Sequence, residues 1–180
     1  MFALIFGLSF LANAQDVQKD QPKGYQFTDI KRLPATSVKD QARAGTCWSW
    51  SGISFFESEM IRMGKEPIDL SAMYIVRHAY SDKATKFVRL HGSMNFAVGG
   101  AFCDVMHVIK NYGIVPMDVY MGLNYGEPNH AFGEIDDVLA GYINAVIKNS
   151  NKKLSTAWKK GFDGILDAYL GEEPEKFEYK

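Results

Sequence analysis

The chain has 180 residues, 47% of them hydrophobic and 23% charged, with a formal net charge of −1. That is ordinary globular composition, enough for one domain of average size. With no basic block and no acidic tail, electrostatics gives no reason to expect a nucleic-acid or polyanion partner.

At the N-terminus, Phe2 to Leu11 is an apolar run, followed by Ala12-Asn13-Ala14 and then polar Gln15-Asp16. An apolar segment ending in a small-x-small site reads as a secretory signal over residues 1–14, and it is too short to be a stable membrane span. The basic n-region is truncated, since Lys19 is the first basic residue. The expected location is therefore exported, periplasmic or extracellular, and cytoplasmic if the segment is not a signal. Residues 15–40 read as a mostly extended leading segment, in which Tyr25, Phe27, Ile30 and Leu33 bring the first apolar side chains and Pro34 breaks any helix.

Five helices follow in chain order. The first runs from near Cys47 to about Met63, with an apolar stripe of Ile53, Phe56, Met60 and Ile61, and Gly64 stops it. The second starts after Ser71 as N-cap and carries Met73, Tyr74, Val76 and Arg77. Residues 81–100 read as loop-rich, ending in Gly99-Gly100. The third helix spans about Ala101 to Asn111, with Gly113 ending it and Pro116 preventing its return. Residues 121–133 form a polar loop. Two more helices are expected near 134–148 and 155–170, and the stretch from Gly171 reads as a connection to something further on. No strand pattern is strong, so the expected class is mainly α.

Cys47 carries the sharpest chemistry. The small-residue loop Ala44-Gly45-Thr46 delivers it to the start of an amphipathic helix. Helix N-termini carry partial positive charge and free N–H groups, which favour an anion such as a thiolate. Thiolate is the attacking species in acyl transfer. The Cys47 N–H and the Gln41 side-chain amide could together donate to an oxyanion. Two cysteines do not make a disulfide framework. Cys103, beside Phe102 and Val105 in a helix, reads as a buried core thiol. No Cys/His cluster has metal-ligand spacing, so no metal or cofactor is expected.

The pattern Gln-x5-Cys-Trp-x-x-Ser, Gln41 to Ser51, resembles the nucleophile segment of papain-like cysteine peptidases. Leu70-Ser71 resembles the Leu-Ser that opens the family's next helix. Gly99-Gly100, then Tyr112-Gly113-Ile114-Val115-Pro116 and Tyr120, resemble its cleft segment and the stretch that follows. Order and spacing fit over about residues 25–125, and the helical insert after it looks like the bleomycin hydrolase and aminopeptidase C branch. Secreted papain-like enzymes usually carry half-cystines where this chain has Ala44 and Ala97, and that branch typically lacks the bridge.

The resemblance implies the left, helical half of a papain-like α+β fold, incomplete at the C-terminus. Residues 15–120 would be the N-terminal lobe with the nucleophile helix, and 121–180 a helical insert leading to a C-terminal lobe. It implies a cysteine-type peptidase, an aminopeptidase by its branch, with peptide as substrate and a homo-oligomer, a hexamer in that branch. Cys47 would be the nucleophile, Gln41 the oxyanion donor, and Gly99 and Gly100 the wall that pairs with bound peptide. The family's histidine lies roughly 130 to 150 residues after the nucleophile, so it and the asparagine are expected beyond residue 180. His130, in Asn129-His130-Ala131, mimics its local pattern but falls well short and precedes a helix start, so it reads as a decoy. His78, His91 and His107 read as core or surface. The rival readings are an inert fragment or peptide-binding domain, and a different cysteine acyl enzyme such as a transglutaminase or amidase. The last would share the nucleophile-at-helix geometry but not the Gly-Gly and Tyr-Gly-Ile landmarks.

Overall fold

The computed structural model describes residues 24, 25, 27–175, 177 and 178. The signal-like residues 1–14 lie outside this range. The chain divides into two units, up to Arg32 and from Leu33 onward. In the first, residues 27–32 are exposed chain without regular structure, and the rings of Tyr25 and Phe27 lie 6.3 Å apart.

The second unit is built from five helices: α1 (Cys47–Arg62), α2 (Ala72–Arg89), α3 (Phe102–Tyr112), α4 (Gly133–Ile147) and α5 (Ala157–Leu170). Among the described residues the only β pairings are two isolated bridges, Arg43 with Ala131 and Leu70 with Pro116. The architecture is mainly α, as the sequence pattern requires.

Helix α2 is the centre. Every residue from Ala72 to Tyr80 is buried, because α1, α3, α4 and α5 all pack against it. A helix apolar on all sides in its first turns is a helix surrounded by others. Ser71 starts it, its Oγ accepting the Tyr74 N–H (3.0 Å) while donating to the Tyr120 carbonyl (2.6 Å). The N–H groups of Ser71 and Met117 donate to the Val115 and Asp69 carbonyls, so the chain leaving α3 is tied to the start of α2.

The structure corrects one boundary. The expected loop over 81–100 is helix as far as Arg89. Tyr80, Ala84, Phe87 and Val88 are buried at helical spacing, while Asp82, Lys83 and Lys86 between them and Arg89 just after disguise the stripe. Packing of Phe87 against Phe96, and of Phe96 against Phe162, gives this turn the tertiary support its composition does not announce.

Helices α4 and α5 form a hairpin on the far part of α2, with Ile135, Leu139, Ile143, Phe162 and Leu166 completely buried. Each such side chain contributes roughly 1.5–3 kcal/mol by its removal from water. Arg77 of α2, itself buried, ties the hairpin down through Asp167 (2.5 Å) and Glu173 (3.1 Å).

Candidate active site

The loop before α1 is shaped by two residues in the left-handed region. Ala42 (φ +51) is held by its N–H donating to Asp40 Oδ1 (2.7 Å), and Gly45 has φ +66. At Gly45 a β-carbon would also meet Val98 at 3.2 Å, so glycine suits both the backbone angle and the neighbour. The Ala44 N–H donates to the Gln41 carbonyl (3.2 Å), closing a turn that brings Gln41 back towards the helix start. From outside, the Arg43 N–H donates to the His130 carbonyl (2.9 Å), and the Phe132 N–H donates to the Arg43 carbonyl (3.2 Å).

Cys47 is the first residue of α1 and is exposed as a free thiol. The Thr46 carbonyl accepts the N–H groups of Ser49 (2.9 Å) and Trp50 (3.3 Å), while the Cys47 N–H has no hydrogen bond among the described residues. No acidic residue stands in the first turn. The end therefore keeps its partial positive charge and an unspent donor beside the thiol.

Cys47 and Gln41 line one cavity of about 400 Å³ between α1 and the segment Ala35–Lys39, with Trp50 and Ile53 on its apolar wall. One end of the Gln41 amide, Oε1, is buried without a partner. A half-turn of the amide exchanges its oxygen and nitrogen, so the group can offer a donor from either position.

Glu57 holds the cavity's floor. It is 1% exposed, accepts the Leu70 N–H (2.8 Å) and the Thr36 hydroxyl, and pairs with Lys39 (3.3 Å), which also reaches Asp69 (2.6 Å). Burial works against the Lys39 ammonium, but Asp69 and Glu57 outweigh it and hold its pKa above the ordinary lysine value. Nothing in the sequence announces this pair, because nothing local links residues 18 apart.

Gly99 and Gly100 do not line that cavity. They adjoin the start of α1 on another side, through Trp48. Its indole N–H donates to the Val98 carbonyl (3.0 Å), and a β-carbon on Gly100 would stand 2.5 Å from its ring. Gly99 has open space where a side chain would go.

Among the described residues no histidine lines the Cys47 cavity. His130 is buried behind α1, its ring 6.0 Å from that of Trp50, with Nδ1 unpartnered. Burial pushes its pKa below the ordinary histidine value. His78 is also buried, stacked on Tyr112 at 4.1 Å, while His107 is exposed beside Asp82. His91 sits in the turn after α2 with φ +50.

Cys103 is the clearest correction. Its apolar neighbours in the sequence place it in the core, yet it is exposed in the first turn of α3. That helix buries Val105 and Val108 and turns Phe102, Cys103 and Met106 outward. Phe102 stacks on Phe56 and meets Phe55 edge-on, both from α1. Apolar neighbours in sequence therefore mark an outward aromatic cluster here, not the core.

Comparison with known proteins agrees with this arrangement. The profile of the papain family cysteine proteases matches residues 22–157. The chain belongs to the papain family. Among solved structures it is similar to PepW from Lactobacillus rhamnosis HN001, crystallised as the selenomethionine derivative, with a TM-score of 0.57 and 20% identity. That match covers 82% of this chain and 40% of that one, so the chain spans less than half of that protein's length. No curated protein matches the sequence.

Proposed function

We propose that this chain supplies the nucleophile side of a peptide-hydrolysing site, of the aminopeptidase kind found in the bleomycin hydrolase branch. The observation that carries the reading is the meeting of Cys47 and Gln41 on one cavity at a helix end whose first N–H is unspent. In this mechanism the Cys47 thiolate attacks the scissile carbonyl carbon, and the resulting oxyanion accepts hydrogen bonds from the Cys47 N–H and the Gln41 amide. Collapse expels the amine, which takes a proton from the general acid and leaves a thioester on Cys47. Water then attacks the thioester, releasing the acid and restoring the thiol. The acid–base group comes from outside the cavity described, and His130 is not it. Gly99 and Gly100 form the wall of the cleft, where the Gly100 backbone pairs with the main chain of the bound peptide, as one edge of extended structure pairs with another.

One observation favours a second reading. The cavity holds no histidine among the described residues, which would suit a domain that binds peptide without cleaving it. The two part in one experiment. A peptidyl chloromethyl ketone, followed by peptide mapping, is expected to label Cys47 and spare Cys103. Fluorogenic peptides with a free N-terminus are expected to be cleaved faster than their N-acetylated forms. Labelling at Cys47 with no turnover of either substrate would leave the binding reading standing. Labelling at Cys103 instead would overturn both.

A further inference from the structure

The Gly99–Gly100 wall is held from behind by a lysine. Lys83 of α2 directs its ammonium to the carbonyl of Gly99 and to that of Ala97 (3.3 Å). The same Nζ lies 5.5 Å from the centre of a Trp48 ring and 5.9 Å from that of Tyr80. Burial holds the group below the ordinary lysine pKa, with Asp104 and Asp136 acting in the other direction. Such a partly desolvated ammonium is satisfied by carbonyls and aromatic faces together.

The consequence lies in which backbone groups remain free. Lys83 takes the Gly99 carbonyl and Trp48 takes the Val98 carbonyl. Next along, the Ala101 N–H is taken by Asp104 Oδ2 (2.8 Å). Between them, the N–H and C=O of Gly100 have no hydrogen bond among the described residues. The Trp48 ring sits against Gly100 where a side chain would go, so the residue cannot slide towards α1. The carbonyls before Gly100 and the N–H after it are engaged, and a donor and an acceptor on Gly100 itself are left over.

We infer that Lys83 is a positioning residue for peptide binding, which draws the Gly99 carbonyl back and so presents the Gly100 N–H and C=O to a bound main chain. This rests on the peptidase reading above. Lys83 touches neither the thiol nor the substrate, and acts through the backbone of the wall.

The test uses one electrophile in two forms on the full chain. A peptidyl chloromethyl ketone needs the wall to dock, whereas chloroacetone carries the same reactive group without a peptide. In the wild type, Cys47 is expected to react faster with the peptidyl form. Lys83→Met keeps an unbranched side chain of similar length but removes the donor. It is expected to slow peptidyl labelling roughly tenfold, the scale of a lost hydrogen bond from a charged group. Its chloroacetone rate should remain within about twofold of wild type, since that reaction makes no use of the bond. Lys83→Gln is the second variant, with the same contrast expected. Equal slowing of both reagents, or none of either, would overturn the inference, as would failure of both variants to fold, which would make Lys83 a fold residue only. A wild type that shows no preference for the peptidyl reagent would instead sink the peptidase reading on which this one stands.

Discussion

The chain contains two cysteines, each in the first turn of a helix, and each is exposed. Cys47 opens α1, and Cys103 is the second residue of α3. Position at a helix end and exposure therefore do not distinguish them. What differs is how the end is used. At α3 the Asp104 carboxylate takes the Ala101 N–H and places a negative charge within the turn. At α1 there is no acidic residue, Thr46 offers no side-chain cap, and the Cys47 N–H is left open beside a cavity that also holds Gln41. A helix end suits an anion when no carboxylate shares its first turn and a cavity opens beside it, and an end that already carries its own carboxylate suits one less.

That contrast can be broken at either end. The largest effect is expected for Cys47→Ser, which should lower peptide hydrolysis by about 10⁴-fold or more, as nucleophile removal does elsewhere. Cys103→Ser should leave the rate within about twofold, since its thiol meets no substrate in this reading. Steady-state rates of the two variants, each with a fold check, decide it, and equal losses would erase the distinction. Next, Gln41→Ala removes one oxyanion donor and should lower turnover about 10²- to 10³-fold with little change in substrate binding. A rise in KM at constant kcat would place Gln41 in binding and not in the transition state.

A smaller effect sharpens the comparison from the other side. Asp104→Asn removes the charge from the first turn of α3, so Cys103 should be alkylated by iodoacetamide about two- to fivefold faster, on the scale of a charge–dipole interaction. The rate at Cys47 serves as the internal control and should not move. An unchanged Cys103 would mean that the carboxylate is not what separates the two ends.

The smallest effect concerns the histidine behind α1. His130 is buried with a depressed pKa, so the unfolded chain binds its proton first as pH falls. Its contribution is thus present above the unfolded value near pH 6.5 and is lost as pH falls through the lower folded value. Melting temperature should fall between pH 7 and pH 5, and His130→Leu should flatten that slope by a few degrees. Burial also lowers the pKa of His78, against the pull of Glu173, so it acts in the same direction. If His130→Leu abolished turnover while keeping its stability, His130 would be the base and not a packing residue.

Much of this was legible in the sequence because helix ends are local. Ser71, Gly64, Gly113 and Gly171 mark boundaries through their own hydrogen-bonding or backbone angles, and the structure places them at or within two residues of those ends. The spacing from Gln41 to Cys47 was legible for the same reason, since a short loop fixes what it can bring together. What was not legible depends on distant partners. The last turns of α2 are stabilised by Phe96 and Phe162, and Cys103 faces outward because Val105 and Val108 claim the inner side of α3. Lys83 gave no signal at all. A lysine among Asp82, Lys86 and Arg89 looks like a solvated face until Trp48 and Gly99 are seen around it.

The bridge between Arg43 and Ala131 also sets a schedule for the nascent chain. The loop ahead of Cys47 receives two of its backbone hydrogen bonds from the stretch His130–Phe132. During synthesis, those partners are made on the order of 90 residues later, which at about 5–20 residues per second is a delay of roughly 4 to 18 s. Helix α1 can form within microseconds of leaving the ribosome. The loop that aims Gln41 cannot be completed until the start of α4 arrives. The helix bearing the thiol is thus made early, and the loop carrying Gln41 is finished late, by a segment that does not line the cavity.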